Sequence, residues 1–282
     1  MPRLTRKRYW IPALLVLIAL AIRLWAPGWI NQAYAHAARQ APVLFEGCQK
    51  AWAHRGFVGE GQEDSVGSVQ RAIARGASGV EIDVLYDADS GQFMVSHDRP
   101  YQTTNGQTLT LDQMLEAIGP QVYFWLDAKD LSGLWPWQAD DAVNRLATVL
   151  ARHGMTDRAL VESRNPIYLG WLAERGVHTS YMISPNEAGY SAPIFWGNVY
   201  VMKLAYTFGP FSALSMNDDR YTRTVQQAFG DEVPILVSTV NDRDAFELYA
   251  ENPRIAVVLT DRDYYAYNSC ATERTTDAPV AD

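Results

Sequence analysis

The sequence predicts an α/β protein built as one closed barrel of eight parallel strands with helices on the outside. From Ala51 onward, short β-rich runs alternate with helical stretches, and this alternation is typical of a parallel sheet with crossover helices. Eight strand candidates can be counted. A chain of 282 residues that is 48% hydrophobic is also long enough to bury one large core. Together these observations predict a TIM (β/α)8 barrel.

The predicted elements follow one another along the chain in regular order. The strands cover residues 51–54, 79–84, 121–127, 159–163, 177–182, 198–204, 233–238 and 255–260. The helices between them include residues 65–75, 111–117, 137–153, 166–175 and 242–250.

Two segments depart from this alternation. A turn signal at residues 87–91 leads into residues 92–96, which predicts a β-hairpin excursion after strand two rather than a ninth barrel strand. The excursion would return His97 to the barrel mouth. Residues 207–229 are longer than a normal connection, so they predict an inserted loop and helix.

The N-terminal segment, residues 1–30, predicts a membrane anchor or a signal segment. Its apolar part is long enough to span a bilayer, which takes about 20 residues, so an N-terminal transmembrane helix is expected. A cleaved signal peptide is the alternative, because residues 33–35 read Ala-Tyr-Ala, a small-x-small pattern. A buried helix of a soluble protein is the third alternative for this segment. Residues 31–47 are then a linker, residues 48–270 the barrel domain, and residues 271–282 a disordered tail.

The charge distribution bears on location and partners. Basic residues precede the apolar segment and would keep that end in the cytoplasm, so the barrel domain is expected on the periplasmic or extracellular face, or secreted after cleavage. The formal net charge of −8 would repel a polyanionic backbone, so no nucleic acid partner is expected. The membrane, reached through the N-terminal helix, is the expected partner.

The two cysteines of the chain, Cys48 and Cys270, are expected to form a disulfide. Export would place them in an oxidising compartment, where an even number of cysteines usually pairs. They are far apart in sequence, but the first and last units of a closed barrel are neighbours. Two free, buried thiols are the alternative.

Acidic side chains lie where the predicted strands end, which is the catalytic mouth of a TIM barrel. Glu81 and Asp83 are two residues apart in one strand, so both point to the same face, and Asp127 repeats the pattern on the next strand. Carboxylates held this closely need a counter-ion, and hard oxygen ligands favour Mg²⁺, Ca²⁺ or Mn²⁺ over zinc. A structural ion-pair cluster with Lys129 is the alternative.

Histidines and an arginine add to the predicted site. His54 and His97 could supply a base for an attacking oxygen and an acid for a leaving one at a phosphodiester. Arg55 offers a charge-assisted fork for phosphate oxygens. Trp135 and Trp137 follow in a loop above the mouth, where they could form an apolar rim that admits a lipid tail. Packing at the start of a helix is the alternative for these two.

The strings of residues at these strand ends resemble the signature of a known family. They are His54-Arg55-Gly56, Glu63-Asp64-Ser65, Glu81-Ile82-Asp83-Val84, His97-Asp98 and Leu126-Asp127-Ala128-Lys129, with Thr239-Val240-Asn241 and Thr260-Asp261 in the last two strands. The set resembles the motifs of the glycerophosphodiester phosphodiesterase family, within the phosphatidylinositol-phospholipase-C-like phosphodiesterase superfamily. The resemblance extends over the whole predicted barrel domain.

The resemblance implies an enzyme that breaks glycerophosphodiesters or related phospholipids into glycerol 3-phosphate, or another phosphomonoester, and an alcohol. It also implies a divalent cation, Mg²⁺ or Ca²⁺. The implied site residues are the metal ligands Glu81, Asp83 and Asp127, the acid–base pair His54 and His97, and the phosphate-binding residues Arg55 and Lys129. Glu63 is expected to support this set from outside.

Three positions depart from the family pattern. The third metal ligand is usually Glu and is Asp127 here, the residue after Glu63 is usually Asn and is Asp64 here, and Ser238 stands where an aromatic residue is frequent. The Asp-x-Lys pair also resembles the related sphingomyelinase D barrels, although their C-terminal motif is missing. A sphingomyelinase-D-like or lysophospholipase-D-like enzyme is therefore an alternative. A catalytically silent barrel that binds a lipid or a protein partner is another.

Overall fold

The computed structural model of the chain describes residues 10–42, 44, 49–57, 62–103, 106–230 and 232–268. The strands are β1 Ala51–Ala53, β2 Gly79–Asp87, β3 Gln92–Val95, β4 Tyr123–Asp127, β5 Ala159–Ser163, β6 His178–Met182, β7 Ala213–Asn217, β8 Ile235–Ser238 and β9 Ile255–Thr260. The α-helices are α1 Trp10–Gln40, α2 Val66–Ala74, α3 Leu111–Ile118, α4 Pro136–Arg152, α5 Pro166–Ala173, α6 Ala192–Thr207, α7 Arg223–Phe229 and α8 Arg243–Glu251.

The predicted TIM barrel is confirmed. All strands except β3 pair in parallel with their neighbours around the barrel. The sheet closes because β1 pairs with β2 on one side and with β9 on the other. The strand ends that carry the predicted site residues therefore meet at one mouth.

The excursion after the second strand is also confirmed. β3 runs antiparallel to the end of β2, with Val84 opposite Val95 and Asp87 opposite Gln92. The pairing returns the chain to the mouth, because the backbone N–H of Ser96 donates to the carbonyl oxygen of Asp83 at 3.1 Å. His97 follows directly and is thereby placed beside β2.

Two apolar layers hold the barrel. A large layer lies between the sheet and the helices, and a smaller one fills the lower interior of the barrel, where Trp52 and Trp125 are almost fully buried. Gly79 makes room for this filling, because a Cβ atom there would lie 2.1 Å from the Trp52 ring. Two positions after Trp52, Gly79 and Trp125, the chain has polar residues, which point into the same interior nearer the mouth. They are His54, Glu81 and Asp127.

The predicted sixth strand at residues 198–204 is wrong. These residues lie in α6, and the barrel strand is β7, within the segment predicted as an inserted loop and helix. α6 packs on the barrel through Phe195 and Val199 and on its other side against α1. Because several faces are apolar, no amphipathic period remains to indicate a helix, and the valines favour a strand by composition.

α1 packs along α6. Asn31 Oδ1 accepts a hydrogen bond from Lys203 Nζ at 2.7 Å, and the rings of Tyr34 and Tyr206 meet edge to face with centroids 5.3 Å apart. Residues 31–40, predicted as linker, continue this helix, and two of their side chains, Tyr34 and Ala38, are buried. Within the described part of the chain, no helix is long and apolar enough to cross a membrane, so the predicted transmembrane helix is not supported.

Several predictions concern residues outside those that the structure describes. Cys48 and Cys270 are among them, so the disulfide stays a prediction. The tail at residues 271–282 and the first nine residues of the chain also lie outside the described residues.

Candidate active site

The three predicted metal ligands come together at the mouth. Asp83 on β2 lies opposite Asp127 on β4 in the parallel register, and Glu81 precedes Asp83 on the same face of β2. One carboxylate oxygen from each of the three residues lies within 4.8 Å of the other two. Because all three sit on barrel strands rather than on loops, their relative positions are set by the sheet.

The surroundings of these carboxylates disfavour negative charge. Burial raises the pKa of Glu81 well above its usual value, and the neighbouring charges of Asp83, Asp64 and Asp127 raise it further. Burial and the charge of Asp83 likewise raise the pKa of Asp127 to about 7, although the Lys129 ammonium opposes this shift. Negative charge at this mouth therefore exceeds what the nearby cations neutralise.

Asp83 is held between the two cations that the sequence assigned to phosphate binding. Lys129 Nζ lies 2.8 Å from Asp83 Oδ1 and 3.9 Å from Asp127 Oδ2. Arg55 Nε lies 3.0 Å from Asp83 Oδ2, an ion pair that lacks the alignment of a hydrogen bond. Both side chains keep part of their surface exposed at the mouth.

A tight turn after β1 positions Arg55. Its backbone has φ +51°, and its N–H donates to Glu81 Oε2 at 2.9 Å. Gly56 follows with φ +71°, and a Cβ atom there would lie 2.4 Å from the Ser68 hydroxyl. The turn can pass this close to the start of α2 only because Gly56 has no side chain.

Two further acidic residues, Glu63 and Asp64, lie behind this turn. Glu63 Oε1 accepts from Arg55 Nη1 at 3.1 Å. Asp64 is buried with φ +48°, and its Oδ1 accepts from the backbone N–H of Asp83 at 3.0 Å. Burial, followed by the charge of Asp83, raises the pKa of Asp64 to about 8. The hydrogen bond from the Asp83 N–H to Asp64 fixes the β2 backbone at Asp83, a predicted metal ligand.

His54 is oriented by residues from the last two strands. Its Nδ1 lies 2.7 Å from Asp261 Oδ1, and Asn241 Nδ2 donates to the other oxygen of Asp261 at 2.7 Å. The hydrogen bond with His54 is the main reason that the pKa of Asp261 lies below its usual value. His54 Nε2 then faces the mouth, 3.9 Å from Glu81 Oε2.

The second predicted histidine has a more open environment. His97 Nδ1 lies 2.5 Å from Asp98 Oδ2, and the side chain of Asp98 is 80% exposed. The Ser96 hydroxyl donates to the carbonyl oxygen of Asp98 at 2.8 Å and so stabilises the turn after β3. The two histidines therefore enter the mouth from different elements, His54 after β1 and His97 after β3.

Glu162 on β5 was not predicted as a site residue. It pairs with Asp127 across β4 and β5, it is 4% exposed, and its Oε2 has no hydrogen-bond partner in the described part of the chain. Burial, followed by the charge of Asp127, raises its pKa well above the usual value. The Ser215 hydroxyl opposes this shift, although no hydrogen bond of standard geometry joins the two groups.

The donor set fits a hard divalent cation. Three carboxylate oxygens this close together match the oxygen coordination that Mg²⁺ and Ca²⁺ take in proteins. A cation there would relieve the repulsion that raises the pKa values of Glu81 and Asp127. Zinc is less suitable, because no cysteine and no cluster of histidines joins these carboxylates among the described residues.

Comparison with known proteins finds one family whose model matches the chain. Residues 54–165 match the model of the glycerophosphoryl diester phosphodiesterase family. This range includes all seven predicted catalytic, metal-binding and phosphate-binding residues. No curated protein sequence matches the chain.

Solved structures of similar fold share this barrel. A glycerophosphodiester phosphodiesterase from Parabacteroides distasonis is 22% identical, with 75% of this chain and 92% of that chain covered and a TM-score of 0.59. An Oleispira antarctica phosphodiesterase, in complex with the product sn-glycerol-3-phosphate, is 21% identical, with 82% and 98% covered and a TM-score of 0.60. A Thermotoga maritima glycerophosphodiester phosphodiesterase is 20% identical, with 76% and 94% covered and a TM-score of 0.56. At these identities the similarity to solved structures establishes the fold alone. The family match adds a similarity in sequence over the residues that form the strand-end motifs at the mouth. Residues 54–165, which carry β2 to β5 of the barrel and their strand-end motifs, are thus similar to the glycerophosphoryl diester phosphodiesterase family.

Proposed function

We propose that the chain hydrolyses glycerophosphodiesters, or related phospholipids, to glycerol 3-phosphate or another phosphomonoester and an alcohol. The family match over residues 54–165 indicates a phosphoric diester hydrolase. The observation that carries the finer proposal is the placement of His54, oriented by Asp261, beside the carboxylates of Glu81, Asp83 and Asp127. The Oleispira antarctica relative, whose structure contains sn-glycerol-3-phosphate, supports the proposed product.

Glu81, Asp83 and Asp127 would hold the divalent cation, Mg²⁺ or Ca²⁺. When bound, such a cation neutralises charge on the phosphoryl oxygens and makes phosphorus more open to attack. The supporting observation is the convergence of three strand-borne carboxylates in a partly buried mouth. A bound cation would also offset the repulsion from Asp127 that raises the pKa of Glu162 on the neighbouring strand.

Arg55 and Lys129 would bind the phosphate group. Each already contacts Asp83, so both cations are held in place before the substrate arrives. The guanidinium of Arg55 presents several N–H donors in one plane, a shape that matches two phosphate oxygens. Lys129 adds a point charge from the opposite side of Asp83.

His54 and His97 would transfer the protons. With Nδ1 of each ring occupied by a carboxylate, Nε2 is the atom free to exchange a proton. One histidine would take a proton from the attacking oxygen as its bond to phosphorus forms. The other would give a proton to the leaving alcohol oxygen as its bond to phosphorus breaks. The attacking oxygen would belong to water, which gives the phosphomonoester directly, or to the glycerol hydroxyl of the substrate. The second route would form a cyclic glycerol phosphate, and water would then break one of its two ester P–O bonds to give glycerol 3-phosphate, with the same two histidines transferring the protons.

A specific observation keeps a lipid substrate as a second candidate. Trp135 and Trp137 stack with ring centroids 5.2 Å apart and are 64% and 65% exposed, so they do not serve only to pack the start of α4. Exposed tryptophans beside the mouth suit a substrate with an apolar tail. A lysophospholipase-D-like or sphingomyelinase-D-like reaction would use the same catalytic groups.

A substrate panel tests these proposals. Purified full-length protein is offered a soluble glycerophosphodiester, a lysophospholipid and sphingomyelin, each with Mg²⁺ or Ca²⁺, and the released alcohol and phosphomonoester are identified. Turnover of the first substrate is expected, with losses of about 10² to 10⁴ in kcat for His54→Ala and for His97→Ala. Activity on none of the three would favour the catalytically silent barrel. Full activity of both variants would exclude the two-histidine mechanism.

We also propose that the barrel domain is exported, either held at the membrane or secreted. Basic residues followed by an apolar segment at the N-terminus support this location. Protease treatment of intact cells and of lysed cells tests it. If the domain is exported, protease should cleave it in cells whose outer layer has been opened but whose cytoplasmic membrane is intact. A barrel that is protected until this membrane is lysed would contradict export.

A further inference from the structure

Most of the exposed large apolar side chains of the barrel lie at one side of the catalytic mouth. They follow three consecutive strands, β4, β5 and β6. We call this set the apolar rim, and its members are Trp135, Trp137, Ile167, Tyr190, Ile194 and Trp196. Outside α1, the other exposed side chains of this kind in the described part of the chain are Val201, Phe208 and Leu248.

The topology places the apolar rim beside the active site. In a TIM barrel the helix after each strand begins at the mouth and runs away from it. Trp135 and Trp137 flank the first residue of α4, and Ile167 is in the first turn of α5. Ile194 and Trp196 lie within the first two turns of α6. The rim therefore borders the mouth on the side next to Asp127.

The N-terminal half of α1 extends beyond the same side of the mouth. The contacts of Asn31 with Lys203 and of Tyr34 with Tyr206 advance in the same direction, so α1 runs parallel to α6. At 1.5 Å per residue, α1 extends about 25 Å from Asn31 back to Leu14. α6 extends only about 17 Å from Lys203 back to its first residue at the mouth. The start of α1 thus projects past the mouth.

The projecting part of α1 is apolar on every side. Residues 12–17 are all apolar and all exposed. Six consecutive residues cover the whole circumference of a helix, which turns once in 3.6 residues. A helix that docks in a protein groove presents apolar side chains on one face only. A lipid environment covers all faces at once.

We propose that the apolar rim rests on the surface of a phospholipid bilayer and that the projecting part of α1 enters the bilayer, with the catalytic mouth turned toward the membrane. Tryptophan and tyrosine are enriched at the interface between hydrocarbon and headgroups. Arg164, exposed at the end of β5 next to the rim, supplies a cation for headgroup phosphates and makes no ion pair among the described residues. The rim thus combines apolar side chains with a positive charge, as a phospholipid surface requires.

Vesicle binding by the full-length chain tests the proposal without any turnover. Phosphatidylcholine vesicles are sedimented with the parent protein and with a rim variant that combines Trp135→Ser, Trp137→Ser and Trp196→Ser. The rim variant is expected to bind at least about tenfold more weakly, because three interfacial anchors are lost. A matched variant with Val201→Ser, Phe208→Ser and Leu248→Ser is expected to bind within about twofold of the parent.

Hydrogen exchange supplies the orientation. With vesicles present, the amides around residues 134–138 and 190–196 are expected to exchange more slowly, whereas those of residues 244–249 should not change. Equal binding by the parent and the rim variant would overturn the proposal, as would an equal loss in the matched variant. No binding by the parent would also overturn it and would favour a protein partner. Thermal unfolding of each variant verifies that it is folded, and binding without turnover keeps the result independent of the proposed catalysis.

Discussion

Asp261, at the end of β9, accepts a hydrogen bond from His54, at the end of β1, and so joins the two strands at which the barrel closes. The Nδ1–Oδ1 distance is 2.7 Å, and Asn241 holds the other carboxylate oxygen. This arrangement fixes the orientation of the imidazole and selects Nε2 as the atom that faces the site. Asp261 is therefore a positioning residue that acts through His54.

Removing the charge of Asp261 should slow turnover without abolishing substrate binding. An asparagine at this position can present its amide to His54 and thereby favour the wrong tautomer. Asp261→Asn is expected to lower kcat by about 10² to 10⁴ while KM changes less. Steady-state kinetics with a soluble glycerophosphodiester measure both constants.

The matched control for this prediction is Asp98→Asn, which alters the carboxylate beside the other histidine. Asp98 is 80% exposed, so solvent can replace much of what it provides. A loss in kcat of less than about tenfold is expected there. The side chain of Asp261 is 38% exposed, about half as much as that of Asp98. Equal losses in kcat would show that this difference in exposure does not determine how strongly each carboxylate supports its histidine.

Metal dependence should be visible as a loss of activity without unfolding. Chelation is expected to abolish turnover while the circular dichroism spectrum stays that of a folded barrel. The Asp83→Asn variant should lose more than about 10² in kcat/KM, because the substitution removes a carboxylate that would bind the metal and that also pairs with Arg55 and Lys129. Asp127→Glu restores the ligand frequent in the family and is expected to stay within about tenfold of the parent. Full activity of Asp83→Asn in excess chelator would exclude this metal site.

Asp64 should make the stability of the barrel depend on pH. Its pKa is raised to about 8 in the folded chain, compared with 3.8 in the unfolded chain. Between these values the folded chain retains a proton that the unfolded chain releases, so the free energy of unfolding should fall as pH rises from about 4 to about 8. Asn cannot ionise, can still accept from the Asp83 N–H, and tolerates a positive φ.

Asp64→Asn is therefore expected to stabilise the chain by about 1–3 kcal/mol at pH 8 and to have little effect near pH 4. Urea unfolding at the two pH values, with chelator and with saturating Mg²⁺, measures the difference. Asp64→Ala is the control, and it should destabilise the chain because the Asp83 N–H loses its acceptor. A gain for Asp64→Asn that is the same at both pH values would contradict the assigned protonation.

The strand-end motifs made much of the site predictable from sequence, because in a closed parallel barrel every such motif must reach the same mouth. Glu81, Asp83 and Asp127 illustrate this, since their juxtaposition follows from a period of two along a strand and from the order of strands. The sequence did not disclose that His54 pairs with Asp261, because that contact depends on closure between the first and last strands.

The position of Glu162 in the barrel interior could have been predicted from the sequence. It lies two residues after Leu160 in a strand that was predicted correctly, so it had to point into the barrel beside Asp127. The missed strand β7 is a different case. It was missed because the apolar helix α6 was predicted as the sixth strand instead. α6 packs on the barrel on one side and on α1 on another, so its sequence has no amphipathic period that would distinguish it from a strand.

The disulfide between Cys48 and Cys270 remains a prediction, and the described residues next to each cysteine support it. Asn268 Oδ1 accepts from the backbone N–H of Ala51 at 2.8 Å, and its Nδ2 donates to the carbonyl oxygen of Ala51 at 3.0 Å. The chain after β9 has therefore returned to the base of β1. Cys270 is two residues from Asn268, and Cys48 is three residues from Ala51, so only short stretches of chain separate the two cysteines from this contact.

Closing a loop of more than 200 residues should stabilise the domain by about 5 kcal/mol in the chain-entropy model, less any strain in the bridge. Reduction is expected to lower the unfolding temperature of the parent, whereas a variant with both Cys48→Ser and Cys270→Ser should already unfold at the lower temperature and not respond to reductant. Non-reducing peptide mapping should recover one linked pair that contains both cysteines. If both thiols in protein from its native compartment are instead labelled by an alkylating reagent, the pairing is wrong, and the end of the barrel is held to its first strand by the pairing of β1 with β9 and by the hydrogen bonds of Asn268, without a covalent link.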